Sequence, residues 1–111
     1  MMINQFDVIM IDLDPTRGKE KQKYRPCVVV SNDFVNQNSP FVWILPITNR
    51  LKRFPSDISI ETKNNSVTGI IDSIQIRSLD AKVRNFKKID ELDDSLKTDV
   101  TNTIIAHSCI V

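Results

Sequence analysis

Tyr24-Arg25-Pro26-Cys27-Val28-Val29-Val30-Ser31-Asn32 decides how this chain folds. Its centre is an apolar, β-branched run, the composition of a buried strand. At its entrance stands an arginine. A guanidinium stays charged and offers a rigid fork of donors, so it suits a phosphate better than a core. Arg17 to Lys23, just upstream, is a basic, polar loop. A charged loop that feeds a charged residue at the mouth of a rigid strand is a candidate site.

Upstream, Phe6 to Leu13 reads as a first strand with apolar residues on both faces, as in a small barrel. Asp14-Pro15 breaks it, because proline cannot continue a ladder. Thr16 to Lys23 is then a loop of the length that often carries function. Downstream, one of Ser31, Asn32 and Asp33 is expected to cap a short helical turn over 34–37. Phe41 to Ile47 is a third strand, and Pro46 within it implies a sheet edge or a bulge. Asp57 to Glu61 alternates as a half-buried strand. Val67 to Asp72 is a fifth strand running into Ser73 to Arg77, Leu79 to Lys82 a turn, and Val83 to Ile89 a short last strand. Leu92, Leu96, Val100 and Ile104 recur every four residues, which predicts a helix over about 94–106 with Asp93 as N-cap. Short strands followed by one helix predict a mainly β fold, a small SH3-like antiparallel barrel with a C-terminal α-helix.

A length of 111 residues with 41% hydrophobic and 26% charged side chains suits one globular domain spanning residues 1–111. No apolar run is long enough to cross a membrane, and the N-terminus lacks the features of a signal peptide, so a cytoplasmic location is expected. Cys27 and Cys109 read as two small buried hydrophobes, and no Cys/His spacing resembles a metal site. The net charge of +1 hides a lopsided distribution. Basic clusters occupy Arg17–Arg25, Arg50–Arg53 and Arg77–Lys88, and an acidic stretch follows from Asp90 to Asp99. A basic surface attracts polyanions, although solvated loops give the same pattern.

The chain has no Gly-x-Ser-x-Gly, His-Glu-x-x-His or Walker loop. Its one histidine, His107, falls near the negative end of the predicted helix, where a structural role is favoured. The remaining tools are arginine, lysine, carboxylates and hydroxyls. They fit RNA cleavage, because RNA carries its own nucleophile in the 2′-OH. Such cleavage needs alignment, stabilisation of phosphoryl charge and proton transfer. Arg25 is expected to donate to the phosphoryl oxygens. Thr48 adds a neutral donor if the second and third strands end side by side. Glu20 is expected to accept a proton or orient Arg25. The plain alternatives are an ion pair of Arg25 with Glu20 or Asp14 and an ordinary strand-end hydroxyl at Thr48. If 75–77 is extended, Gln75 and Arg77 share a side and could read a base and hold a phosphate; otherwise Arg77 pairs with Asp80.

Asp12-Leu-Asp-Pro-Thr-Arg-Gly-Lys-Glu20, Arg25-Pro-Cys-Val-Val-Val-Ser-Asn32, Pro46-Ile-Thr48 and Gln75-Ile-Arg77-Ser-Leu-Asp80 together resemble the MazF/PemK family of toxin endoribonucleases. The resemblance runs from about Phe6 to Ile105. It implies an SH3-like barrel in a homodimer and sequence-selective cleavage of single-stranded RNA without a metal or other cofactor. The products would carry 2′,3′-cyclic phosphate and 5′-hydroxyl ends. It implies a cognate antitoxin of the MazE/PemI kind that covers the RNA groove. Arg25 and Thr48 match the family's catalytic arginine and threonine, and Glu20 an acidic loop residue important for activity. Asn32, Gln75 and Arg77 match positions lining the RNA groove, and Arg17, Lys19, Lys21 and Lys23 join them as RNA-binding candidates. Phe6 stands where the family usually has glycine. Lys21-Gln22-Lys23 replaces glycines often found between Glu20 and Arg25. Asp72 and Ile74 stand at the positions where some PemK-type members carry an Arg/Asp pair, which favours the Arg25/Thr48 arrangement. The same barrel is similar to the CcdB gyrase poison, so a non-catalytic gyrase-binding toxin and an inactive RNA-binding paralogue are the competing readings.

Overall fold

The computed structural model describes residues 2–13 and 24–111. The expected break at Asp14-Pro15 and the loop from Thr16 to Lys23 lie outside those residues. Seven antiparallel strands form one sheet. They are β1 (Asp7–Asp12), β2 (Tyr24–Val29), β3 (Phe41–Thr48), β4 (Asp57–Ser59), β5 (Ile70–Asp72), β6 (Arg77–Asp80) and β7 (Phe86–Glu91). The order is β4-β5-β3-β2-β1-β7, with β6 also paired to β3. Among the described residues there are also two α-helices, α1 (Asp33–Asn38) and α2 (Lys97–His107). The fold is mainly antiparallel β with a C-terminal helix, as the strand-then-helix pattern implies.

The β-branched run of β2 lies at the centre of the sheet, with Val8 opposite Val28 on one side and Leu45 opposite Val28 on the other. Period-two alternation sends its side chains to two separate cores. Cys27 and Val29 join Ile9, Ile11, Leu13, Val42, Ile44, Leu79 and Ala81 in the first. Val28 and Val30 join Val8, Leu45, Ile47, Ile71, Leu92 and Val100 in the second. The first core brings residues of β1 and β6 together, so the sheet curls around it. The second lies under α2, whose Val100 is fully buried. Asp93 accepts from Ser95 N–H at the start of a 3-10 turn, Asp94–Leu96, and the α-helix proper begins after it. Among the described residues no ladder joins the two outer strands of the sheet, and one isolated bridge, Thr62 with Leu92, links the segments beyond them.

Four sequence expectations change. First, β3 is not an edge strand. Its residues up to Ile44 pair with β6, and Ile47 and Thr48 pair with β5. Pro46 stands between the two sets, so its missing N–H falls where the partner changes. Second, the long strand expected over 67–77 breaks. Ser73–Gln75 is a 3-10 turn, and Arg77–Asp80 forms a strand where a turn at Leu79–Lys82 was expected. At the break the buried Ser73 hydroxyl donates to the Ser56 carbonyl at 2.7 Å, which fixes the turn in place. Third, the last strand runs over Phe86–Glu91 rather than 83–89. Fourth, Cys27 is buried but Cys109 is exposed, because the chain has left α2 by that point.

Asn32 proves to be the cap of α1, accepting from Val35 N–H at 2.9 Å. Phe6 adopts φ 71°, a left-handed conformation that glycine takes without strain. Its ring packs on the second core, and the Lys97 ammonium lies 5.4 Å from the ring centre, which offsets part of the cost.

Candidate active site

The first core has a polar rim at the end where β1 stops and β2 begins. Alternation sets Arg25 on the face of Cys27 and Val29, and it puts Thr48 on the face of Ile44 and Val42. Both faces look into the same core. Cys27 pairs with Pro46 across β2 and β3. The ladder ends there; carried on by two residues, its register would point Arg25 toward Thr48. Arg25 is exposed and Thr48 half-buried.

Two further arginines reach this rim. Arg77 pairs with Ile44 in the β6–β3 ladder, and its Nη2 donates to the Leu13 carbonyl at 3.3 Å. Arg84 donates from Nη1 to the Asp12 carbonyl at 3.0 Å. Both guanidiniums are pinned to the backbone at the end of β1, and each keeps further donors. Burial pushes the Cys27 thiol up to about 12, and the Arg77 and Arg25 charges nearby pull the other way without overcoming it. Cys27 is therefore a neutral thiol at neutral pH and no nucleophile. Among the described residues the salt bridges hold Arg50, Lys63, Lys88 and Lys97, and Arg25, Arg77 and Arg84 take part in none. Three cationic forks without a carboxylate partner there make a strongly anion-attracting rim.

The sequence candidates divide accordingly. Arg25 and Arg77 lie close enough to Cys27 for both charges to act on it, and Thr48 ends β3 two residues beyond Pro46, the partner of Cys27. Gln75 does not share an extended strand with Arg77, because it closes the 3-10 turn before β6. Arg77 takes the Leu13 carbonyl, and Asp80 caps the following turn by accepting from Lys82 N–H. Asn32 lies past the opposite end of β2, roughly 20 Å from Arg25 along an extended chain. Arg17, Lys19, Glu20, Lys21 and Lys23 lie outside the described residues, as does Asp14. Arg84 went unnoticed in the sequence except as one charge in a basic cluster.

Arg50 is not a surface cation. Its Nη1 and Nη2 grip the two oxygens of Asp57 at 2.7 and 3.1 Å, and the Asp57 side chain is 1% exposed. Arg53 N–H and Phe54 N–H donate to the same carboxylate. The Arg50 hydrogen bond holds the Asp57 carboxyl well below the usual carboxylate range, with the two amides helping against burial. The unfolded value is about 3.9, so the clasp stabilises the fold above that pH and fades as the pH falls toward the folded value. The urea midpoint should therefore drop between about pH 4 and pH 2, and Asp57→Asn should flatten part of that drop. An equally steep drop in the variant would place the acid sensitivity elsewhere.

Residues 4–107 match the sequence pattern of the PemK-like, MazF-like toxins of type II toxin–antitoxin systems. The chain belongs to this family. Over 107 residues it is 35% identical to the endoribonuclease MazF of Staphylococcus saprophyticus, which covers 93% of this chain and 88% of that relative. Its fold superposes on a MazE–MazF crystal structure from Deinococcus radiodurans with a TM-score of 0.82 at 17% identity, over 100% of this chain and 99% of the other. A mycobacterial endoribonuclease in complex with its cognate antitoxin gives a TM-score of 0.77 at 15% identity, over 94% and 92% of the two chains. At these identities the structural likeness speaks for the fold.

In this PemK-like, MazF-like toxin the lone histidine is a tie between elements. His107 Nε2 lies 2.9 Å from the Ser73 hydroxyl, whose own proton goes to the Ser56 carbonyl. The ring thus donates, and it fastens the last turn of α2 to the turn before β6. Among the described residues of the toxin no three His, Cys, Asp or Glu side chains converge as metal ligands, and no helix is long and apolar enough to cross a membrane.

Proposed function

We propose that this toxin is an endoribonuclease that cuts single-stranded RNA by attack of the 2′-OH on the adjacent phosphate. The bond from phosphorus to the 5′-oxygen breaks, leaving 2′,3′-cyclic phosphate and 5′-hydroxyl ends. The observation that carries the reading is the exposed Arg25 fork on the face it shares with Thr48, with no carboxylate partner among the described residues. A guanidinium fits the developing charge on two phosphoryl oxygens, and a threonine hydroxyl adds a third donor. Arg77, held by the Leu13 carbonyl, is suited to a neighbouring phosphate of the same strand. Glu20 would orient Arg25 or take the proton, and Arg17, Lys19, Lys21 and Lys23 would bring further positive charge to RNA. Gln75 and Asn32 would contact RNA beyond the rim.

The endoribonuclease relative at 35% identity supports the activity. The MazE–MazF and toxin–antitoxin complexes among structures of the same fold support a cognate antitoxin as partner. We read the protein as one toxin domain, a cytoplasmic homodimer that acts without a metal. The curled sheet, with its outer segments linked at Thr62 and Leu92, supports reading it as a small SH3-like barrel.

Purified protein incubated with a long single-stranded RNA in EDTA should give discrete fragments with cyclic phosphate ends. Intact RNA would overturn the proposal. Intact RNA together with inhibited gyrase would favour a CcdB-like poison, and intact RNA that is nevertheless bound would favour an inactive paralogue.

A further inference from the structure

Thr48 ends β3, and the chain turns sharply after it. Two features fix that turn. In the first, Ile70 pairs with Thr48 across β3 and β5, and Gly69 precedes it. Gly69 has φ 118°, which side-chain-bearing residues rarely adopt. A Cβ on Gly69 would lie 2.3 Å from the Thr48 carbonyl oxygen, 2.9 Å from its carbon and 3.0 Å from the Asn49 Cα. All three are backbone atoms, so no rotamer change can make room. Gly69 is itself held, because its carbonyl accepts from Ile60 N–H at 3.0 Å. In the second, the same Thr48 oxygen accepts from Arg50 N–H at 3.0 Å. The Arg50 side chain is locked onto the buried Asp57 carboxylate and also donates to the Leu51 carbonyl.

We infer that Gly69 and Arg50 are positioning residues that hold the Thr48–Asn49 peptide, and with it the Thr48 hydroxyl, in place for RNA cleavage. The inference rests on the proposed role of Thr48. Neither residue touches the RNA in this reading. Gly69 lets the backbone leading into β5 close onto the Thr48 carbonyl, and Arg50, whose N–H binds that carbonyl, holds the strand end against peeling away. A methyl at Gly69 must push the Thr48 peptide by on the order of 1 Å, and a displacement of that size can cost about 100-fold in rate.

The test measures single-turnover cleavage of a short RNA by Gly69→Ala, Arg50→Gln, Thr48→Ala and the two pairwise combinations with Thr48→Ala. Thermal unfolding is followed in parallel. Gly69→Ala should lower kcat about 100-fold with KM changed less than about threefold, because binding by the arginine rim is intact. Arg50→Gln, which keeps a donor for Asp57, should lower kcat by about tenfold. On the Thr48→Ala background each should add less than about threefold, since there is no hydroxyl left to misplace. A merely destabilising substitution would instead act equally on both backgrounds. If Gly69→Ala does not fold, Arg50→Gln decides the matter alone. Unchanged kcat in the folded variants, with Thr48→Ala impaired, would overturn the positioning role. Full activity of Thr48→Ala would overturn the role of Thr48 itself, and the inference with it.

Discussion

Replacing Arg25 with alanine should lower RNA cleavage by about 10²–10³-fold while leaving the fold intact. That is the loss expected when one pre-positioned donor is removed from a developing oxyanion. The side chain is exposed and bridges no carboxylate among the described residues, so its removal leaves no orphaned partner in the core. Only the backbone of β2 at this position takes part in the sheet, where Arg25 pairs with Ile11. Arg25→Lys separates charge from geometry. Lysine keeps the positive charge but loses the fork, so it should recover only part of the rate. Cleavage rates on one defined RNA, measured beside circular dichroism spectra, decide the point. Full activity of the folded Arg25→Ala protein would remove Arg25 from the mechanism.

The second large effect concerns the layer beneath that rim. Ile44 is fully buried in the first core and is flanked by Val29 of β2 and Arg77 of β6. Ile44→Ala deletes three carbons from a site enclosed by strands on both sides. Such walls collapse poorly, so the loss should be about 2–5 kcal/mol. A domain of this size is stable by only about 5–15 kcal/mol, so the variant should unfold at a much lower urea concentration. Val83→Ala, at a position 70% exposed, should change stability by no more than about 0.5 kcal/mol. Equilibrium urea unfolding of both variants makes the comparison. A loss below about 1 kcal/mol for Ile44→Ala would mean that the first core repacks far more readily than a site walled by strands on both sides allows.

Most of the scaffold can be read directly from residue types. The β-branched run of β2 and the four-residue spacing of Leu92, Leu96, Val100 and Ile104 announce a buried strand and a packed helix, because burial itself writes those periods. What escapes the sequence depends on partners that sequence distance conceals. Arg50 carries the same charge as Arg53, and only the fold shows that Asp57 has captured it. Val67 to Arg77 looks like one strand because its apolar alternation is continuous. The break comes from β3 exchanging one neighbour for another, and from the Ser73 hydroxyl finding Ser56 and His107. Gly69 is one of only two glycines, yet its closeness to Thr48 emerges only when β5 is laid against β3. Within the site, Arg25 and Thr48 were legible as residue types. The route by which Arg77 and Arg84 reach the end of β1 was not, since it requires the sheet to curl across its first core.

The link between the two outer segments of the sheet bears on how such a protein survives at high concentration. An open sheet offers unpaired N–H and C=O groups along its outer strands, and those groups template chain-to-chain addition and aggregation. Here Lys63 N–H goes to the Glu91 carbonyl and Asp93 N–H to the Glu61 carbonyl, each at 2.9 Å. At this seam, backbone that could otherwise recruit a stranger is satisfied within the same molecule. Lys63, Glu91 and Asp94 surround the seam with charge, which discourages a second chain from approaching it. Loosening this short seam would free backbone donors and acceptors for a second chain while leaving both cores in place.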